Sequence, residues 1–282
     1  MLVISATYHR TVEAILKTAD DFGKITQGLR TKVNIFCTEA FCTLTCVLPN
    51  SLKWCYKTCF ANQITSYPLK STIDKTSSTA YLYLHGRIDA SNKTPALVLV
   101  HGDHGHPFTM LHLAEIAQKN GGGRVFSLYM PYDRGHSPLS QALFSQGIDK
   151  IESLIEESGG TLNGLIAAGH SKGAIQSAYS PFVENDARIK TVISIAGRLR
   201  VVPGVPCDEE LKPTVDAVYQ GIQEHPQIPL YQIVAEEDWN APLEATAVRR
   251  DAVHCTVVPD AMHLNVLYKP ETLQKFAAIL KV

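Results

Sequence analysis

Residues 165–173 read LIAAGHSKG, and the rest of the chain can be read outward from this stretch. The apolar run 165–168 suits a strand buried on both faces, while the residues after 171 carry a helical pattern. Between the two, Gly169, Ser171 and Gly173 alternate with His170 and Lys172. A chain that passes from strand to helix this quickly must turn sharply, and side chains at the flanking positions would collide across the turn. Glycine at 169 and 173 removes that collision. Ser171 is then left at the tip, its hydroxyl projecting into the space toward which the amides of the first helical turn point. A Gly-x-Ser-x-Gly pattern is common by chance; the strand before it and the helix after it give it chemical meaning.

The same alternation continues in both directions. Residues 80–84, 96–100 and 125–130 read as strands before this turn, and 192–195, 230–234 and 255–258 as strands after it. The run ALVLV at 96–100 is apolar throughout, as in a parallel strand covered on both faces. Helical stripes lie between. Met110, Leu113, Ala114 and Ala117 precede the glycines at 121–123; Ile148, Ile151 and Ile155 precede Gly159 and Gly160; Leu273, Phe276, Ala277 and Leu280 follow Pro270. The pattern predicts an α/β fold with a mostly parallel central sheet and helices on both faces. Ligands of such sheets bind at the carboxyl ends of the strands. Residues 200–228, with RVVPGVP and a helical pattern around 214–224, read as a short cap insertion. Before residue 63, Val12, Ile15, Ala19 and Phe22 recur at helical spacing, so residues 1–62 read as a helical N-terminal extension to a domain spanning 63–282.

Four further stretches follow strands. His101-Gly102-Asp103-His104-Gly105 comes directly after ALVLV, and Tyr132-Asp133-Arg134-Gly135-His136-Ser137 after the next strand. Asp238 lies in AEEDWNAP after strand 230–234, and His263 ends PDAMH after strand 255–258. Together with the serine turn, these stretches resemble the α/β-hydrolase superfamily over about residues 63–282. They match its HGxxG oxyanion loop, D-x-G-x-S loop, nucleophile elbow, triad acid and triad histidine, in that family's order of serine, aspartate, histidine.

The resemblance implies a serine esterase of lipase-like type with Ser171 as nucleophile, His263 as base and Asp238 as the group that orients the base. The chemistry agrees, because a hydroxyl attacks only when a base within hydrogen-bond reach takes its proton. Glu236 and Glu237 are neighbouring alternatives for the acid; Asp238 is preferred because it precedes Asn-Ala-Pro. The resemblance also assigns the oxyanion hole to the backbone amides of Asp103 and Lys172. A carboxylate at Asp103 must then point away from the developing charge or be paired. The Lys172 side chain reads as a solvated lysine on the first helical turn, with pairing to Asp103 or contact with an anionic substrate group as the other readings. No cofactor is implied. His101, His104 and His106 invite a metal, but they lack further ligands at zinc spacing, and the oxyanion loop accounts for His101.

The chain carries a net charge of -1 and shows no clustered Lys or Arg, so nucleic acid is not expected as a partner. The opening MLVISATYHR lacks the basic region and cleavage site of a secretory signal, and a cytoplasmic protein is the expectation. Five of the seven cysteines (Cys37, Cys42, Cys46, Cys55 and Cys59) fall in the extension and read as reduced thiols. The expected substrate is a small-molecule ester or acyl lipid, with thioester or peptide as alternatives on the same triad. Peripheral membrane contact through residues 1–62 stays open. A reading of another class is a non-catalytic binding or membrane-peripheral module on the same fold.

Overall fold

The computed structural model describes residues 64–73, 76–103, 105, 107–120, 124–131, 138–205, 207–249 and 254–281, together with Ala14, Lys17, Thr18 and Asp21, which are helical and exposed. The remainder of the N-terminal extension, with its cysteines and apolar stripe, lies outside the described residues. So do His104, His106, the glycines at 121–123 and the loop 132–137.

Eight strands form one sheet among the described residues: β1 (Ile64–Ile73), β2 (Thr76–His85), β3 (Ala96–Val100), β4 (Val125–Tyr129), β5 (Leu165–His170), β6 (Ile189–Ile195), β7 (Leu230–Ala235) and β8 (Cys255–Val258). Their order is β1-β2-β4-β3-β5-β6-β7-β8. β1 pairs with β2 and β2 with β4 antiparallel, and every junction from β4 to β8 is parallel.

Helices α1 (Leu111–Lys119), α2 (Pro138–Glu157), α3 (Lys172–Phe182), α4 (Lys212–Glu224), α5 (Leu243–Thr246) and α6 (Pro270–Ile279) complete the layers. The two-residue period of β3 divides the core. Ala96, Val98 and Val100 join one apolar cluster with α2, α3 and α4, whereas Leu97 and Leu99 join another with α1 and α6. All five residues are buried, which explains why this strand reads as unbroken apolar sequence. Burying each large aliphatic side chain contributes about 1.5–3 kcal/mol, so a charged residue at Leu99 would break the middle of the sheet.

Three details differ from the sequence reading. β1 was not legible, because its pattern ITSYPLKSTI is half polar and contains Pro68, which a sheet tolerates at an edge. α6 turns Thr272, Phe276 and Ile279 fully inward, so its buried face sits slightly around from the expected stripe and Ala277 is only partly covered. The helical pattern assigned to the cap is α4. It buries Val215, Val218 and Ile222 in the sheet's own core, and its Gly221 lies against α3 so closely that a Cβ there would stand 2.1 Å from the Phe182 carbonyl oxygen.

At the amino ends of the strands two arginines tie loops together. Arg124, fully buried before β4, donates to the carbonyls of Thr161 (2.8 Å), Asp89 (3.3 Å) and Ala90 (3.3 Å). Arg188, before β6, pairs with Asp149, Glu152 and Asp186.

Candidate active site

Ser171 stands between β5 and α3 with φ 55° and ψ −122°, a conformation that residues with a Cβ rarely adopt. The packing around it accounts for both glycines. A Cβ on Gly169 would lie 2.1 Å from the Gly173 carbonyl oxygen, and one on Gly173 would lie 2.2 Å from that of Val100. The Ser171 amide donates to the Ile195 carbonyl at 3.0 Å, which fastens the turn to the end of β6.

Two other loops converge on the hydroxyl. Asp238 follows β7 and His263 follows β8, and the loops lie side by side because the Glu237 amide donates to the Ala261 carbonyl at 2.8 Å. His263 Nδ1 is 2.9 Å from Asp238 Oδ2 and 3.1 Å from Oδ1, and its Nε2 is 2.9 Å from Ser171 Oγ. A carboxylate only accepts, so Nδ1 carries the proton and the Nε2 lone pair faces the serine hydroxyl. Asp238 Oδ1 also accepts the amides of Asn240 (2.8 Å) and Ala241 (2.7 Å), which hold the carboxylate in place. The side chains of His263 and Asp238 are 5% and 0% exposed, so their interaction is sheltered from water. Glu236 and Glu237 are exposed, and Asp238 is the acid that reaches the ring.

Two neighbours of His263 were not singled out from sequence. His170, the last residue of β5, donates its Nε2 proton to the His263 carbonyl at 2.7 Å, with the ring centroids 5.0 Å apart. Burial, reinforced by the neighbouring His263, pushes its pKa down to about 3, so it stays neutral and acts as a strut between the serine turn and the histidine loop. Asn240 Nδ2 lies 3.3 Å from His263 Nε2, so the carboxamide and the serine hydroxyl share one lone pair. The only sequence signal for either was its place beside a singled-out residue.

The loop after β3 closes the other side. Gly102 packs on the serine turn so tightly that a Cβ there would stand 2.9 Å from Ser171 Cβ and from His170 Nδ1. His101 is buried and uses both ring nitrogens: Nε2 accepts the Met130 amide at 2.9 Å, so Nδ1 donates to the Gly102 carbonyl at 2.6 Å. Its pKa is pushed down to about 4, chiefly by burial. Asp103 and Lys172 form an ion pair at 2.7 Å, which corrects the reading of Lys172 as a solvated lysine. Among the described residues no group of three or more His, Cys, Asp or Glu side chains is placed to hold a metal. No helix among them is long and apolar enough to cross a membrane.

No protein-family model matches the sequence, and no curated protein matches it. Solved structures do match. An esterase from Pyrobaculum calidifontis superposes with a TM-score of 0.54 at 15% identity, covering 86% of this chain and 91% of its own. Carboxyl esterase 2 of the mycorrhizal fungus Tuber melanosporum gives 0.53 at 14% identity, covering 78% and 86%. A ferulic acid esterase gives 0.56 at 12% identity, covering 78% and 98%. At these identities the likeness establishes the fold.

Proposed function

We propose that this chain, which has the α/β-hydrolase fold, is a serine hydrolase that cleaves a carboxylic ester through an acyl-enzyme intermediate on Ser171. The observation that carries this is the continuous hydrogen-bonded line from Ser171 Oγ through both nitrogens of His263 to Asp238. Ser171 Oγ attacks the ester carbonyl while His263 Nε2 takes its proton. The resulting imidazolium is stabilised by Asp238 across the bond that already fixes its tautomer. Collapse of the tetrahedral intermediate breaks the bond to the alcohol, which leaves with the proton from His263. Water then attacks the acyl-serine by the same route and releases the carboxylic acid.

The negative charge on the carbonyl oxygen needs donors set in advance. We assign these to the amides of Asp103 and Lys172. Lys172 opens α3, so its amide sits at the positive end of the helix dipole, and the loop carrying Asp103 abuts the serine turn at Gly102. The activities named for the three structural neighbours above, each an esterase, support ester over peptide substrates. The substrate class is a small-molecule ester or an acyl lipid, taken up by the domain at about residues 63–282.

Turnover of short p-nitrophenyl esters and labelling by a fluorophosphonate test the reading. Ser171→Ala should abolish labelling and reduce turnover by about 10⁶-fold. Labelling that survives the substitution would place the nucleophile elsewhere, and a wild-type protein that neither labels nor turns over would leave a non-catalytic module on this fold.

A further inference from the structure

We infer that Asp103 and Lys172 are positioning residues whose ion pair locks the two oxyanion donors to each other and offsets the aspartate's charge beside them. The inference rests on the reading of Ser171 as nucleophile and extends it to two side chains whose backbones alone had a role. The residues belong to different loops, one after β3 and one opening α3, yet Lys172 Nζ and Asp103 Oδ2 meet at 2.7 Å with side chains only 14% and 30% exposed. The loop that carries Asp103 is held from its other side as well, where His101 bridges the Gly102 carbonyl and the Met130 amide. It is thus stretched between two anchors, one just after β4 and one on α3. Relaxation of either would let the Asp103 amide drift from the Lys172 amide, and electrostatic catalysis depends on donors that do not reorganise.

The charges matter as much as the tether. An aspartate whose own amide receives an oxyanion sets a negative group beside a developing negative charge, and in a partly dehydrated site that repulsion is weakly screened. Lys172 cancels it. The two single substitutions should therefore be unequal. Lys172→Met leaves the half-buried carboxylate beside the oxyanion without its lysine, whereas Asp103→Asn leaves the lysine there without its carboxylate. Removing the carboxylate should then rescue the loss of the lysine.

The experiment measures kcat and KM on a short p-nitrophenyl ester for the full chain. The variants are Ser171→Ala, Lys172→Met, Lys172→Arg, Asp103→Asn and the Asp103→Asn/Lys172→Met double. Affinity for a phenylboronic acid, whose tetrahedral adduct carries the same charge as the intermediate, is measured alongside. Lys172→Met should lower kcat about 100-fold, the scale of losing one oxyanion donor, with KM within threefold. Lys172→Arg and Asp103→Asn should stay within about tenfold of wild type, and the double variant should match Asp103→Asn. Boronate affinity should fall in step with kcat/KM. A Lys172→Met enzyme within threefold of wild type, or a double variant showing the product of the two single losses, would overturn the inference. Should Lys172→Met not fold, the comparison of Lys172→Arg with Lys172→Gln decides: equal kcat values overturn it, and a loss confined to the glutamine upholds it. An active Ser171→Ala would instead remove the reading on which it rests.

Discussion

The two ends of the parallel strands both bury polar side chains, but with opposite consequences. At the amino ends, the buried Arg124 and the partly exposed Arg188 carry permanent charges, and the hydrogen bonds that hold them run to carbonyls and carboxylates of their own surroundings. At the carboxyl ends, His101, His170 and His263 sit within a few residues of strand termini; the first two are kept neutral by burial, and the third shares its lone pair with a hydroxyl. An arginine cannot give up its proton in the working range of a protein, so Arg124 and Arg188 can only hold loops together. Imidazole takes and gives a proton near neutrality, so the second end can do chemistry. Burial of polar groups does not by itself mark a site; a sheltered imidazole whose lone pair faces a hydroxyl does.

The contrast is tested most severely by Asp238→Asn. An amide in place of the carboxylate favours the wrong tautomer of His263, and kcat should fall about 10⁴-fold with little change in melting temperature. A loss below tenfold would mean that the carboxylate does not orient the base. Arg124→Met should do the reverse. It removes a buried charged donor from three carbonyls and should cost about 3 kcal/mol of stability in chemical denaturation, while kcat at a temperature where the variant is folded stays within about twofold. A large kcat effect without destabilisation would erase the distinction between the two ends.

Acid should act at both ends, because His85 closes β2 beside Val125, at the amino end of β4. His85, His101 and His170 are buried, with pKa values pushed down to about 4, about 4 and about 3, chiefly by desolvation. In the unfolded chain each takes up a proton near pH 6.5, so between that value and about pH 4 the unfolded state binds more protons than the native one. Stability is therefore full above about pH 6.5 and declines as pH falls below it, by about 1.4 kcal/mol per pH unit for each histidine. Melting temperature against pH checks this, and replacing His170 by Asn should flatten the slope by about one proton. A melting temperature unchanged from pH 7 to pH 5 would show that these rings are protonated in the folded protein.

The sheet and the site were legible in the sequence to different depths. Strands covered on both faces, such as ALVLV, announce themselves because both of their faces must be apolar. Ser171, Asp238 and His263 could be placed because each follows such a run closely. β1 was hidden because an edge strand facing solvent has no such constraint. The Asp103–Lys172 pair joins residues 69 positions apart, and the contacts of His170 and Asn240 with His263 span 93 and 23 positions. Those depend on how separate loops meet, which no local pattern encodes. The packing of α4 was missed for a related reason. An amphipathic helix looks the same in sequence whether its apolar face covers a substrate or a sheet.

The positive φ at Ser171 has a consequence for the protein's heat tolerance. Backbone strain of this kind is worth about 1–3 kcal/mol, and glycine is the residue that escapes it. Ser171→Gly, allowing for the freer unfolded chain that glycine brings, should unfold about 1 kcal/mol less readily than the wild type while hydrolysing nothing. On the proposed mechanism the attacking atom sits on one of the chain's least comfortable torsion angles, and relief at that one position would yield a sturdier but inert molecule.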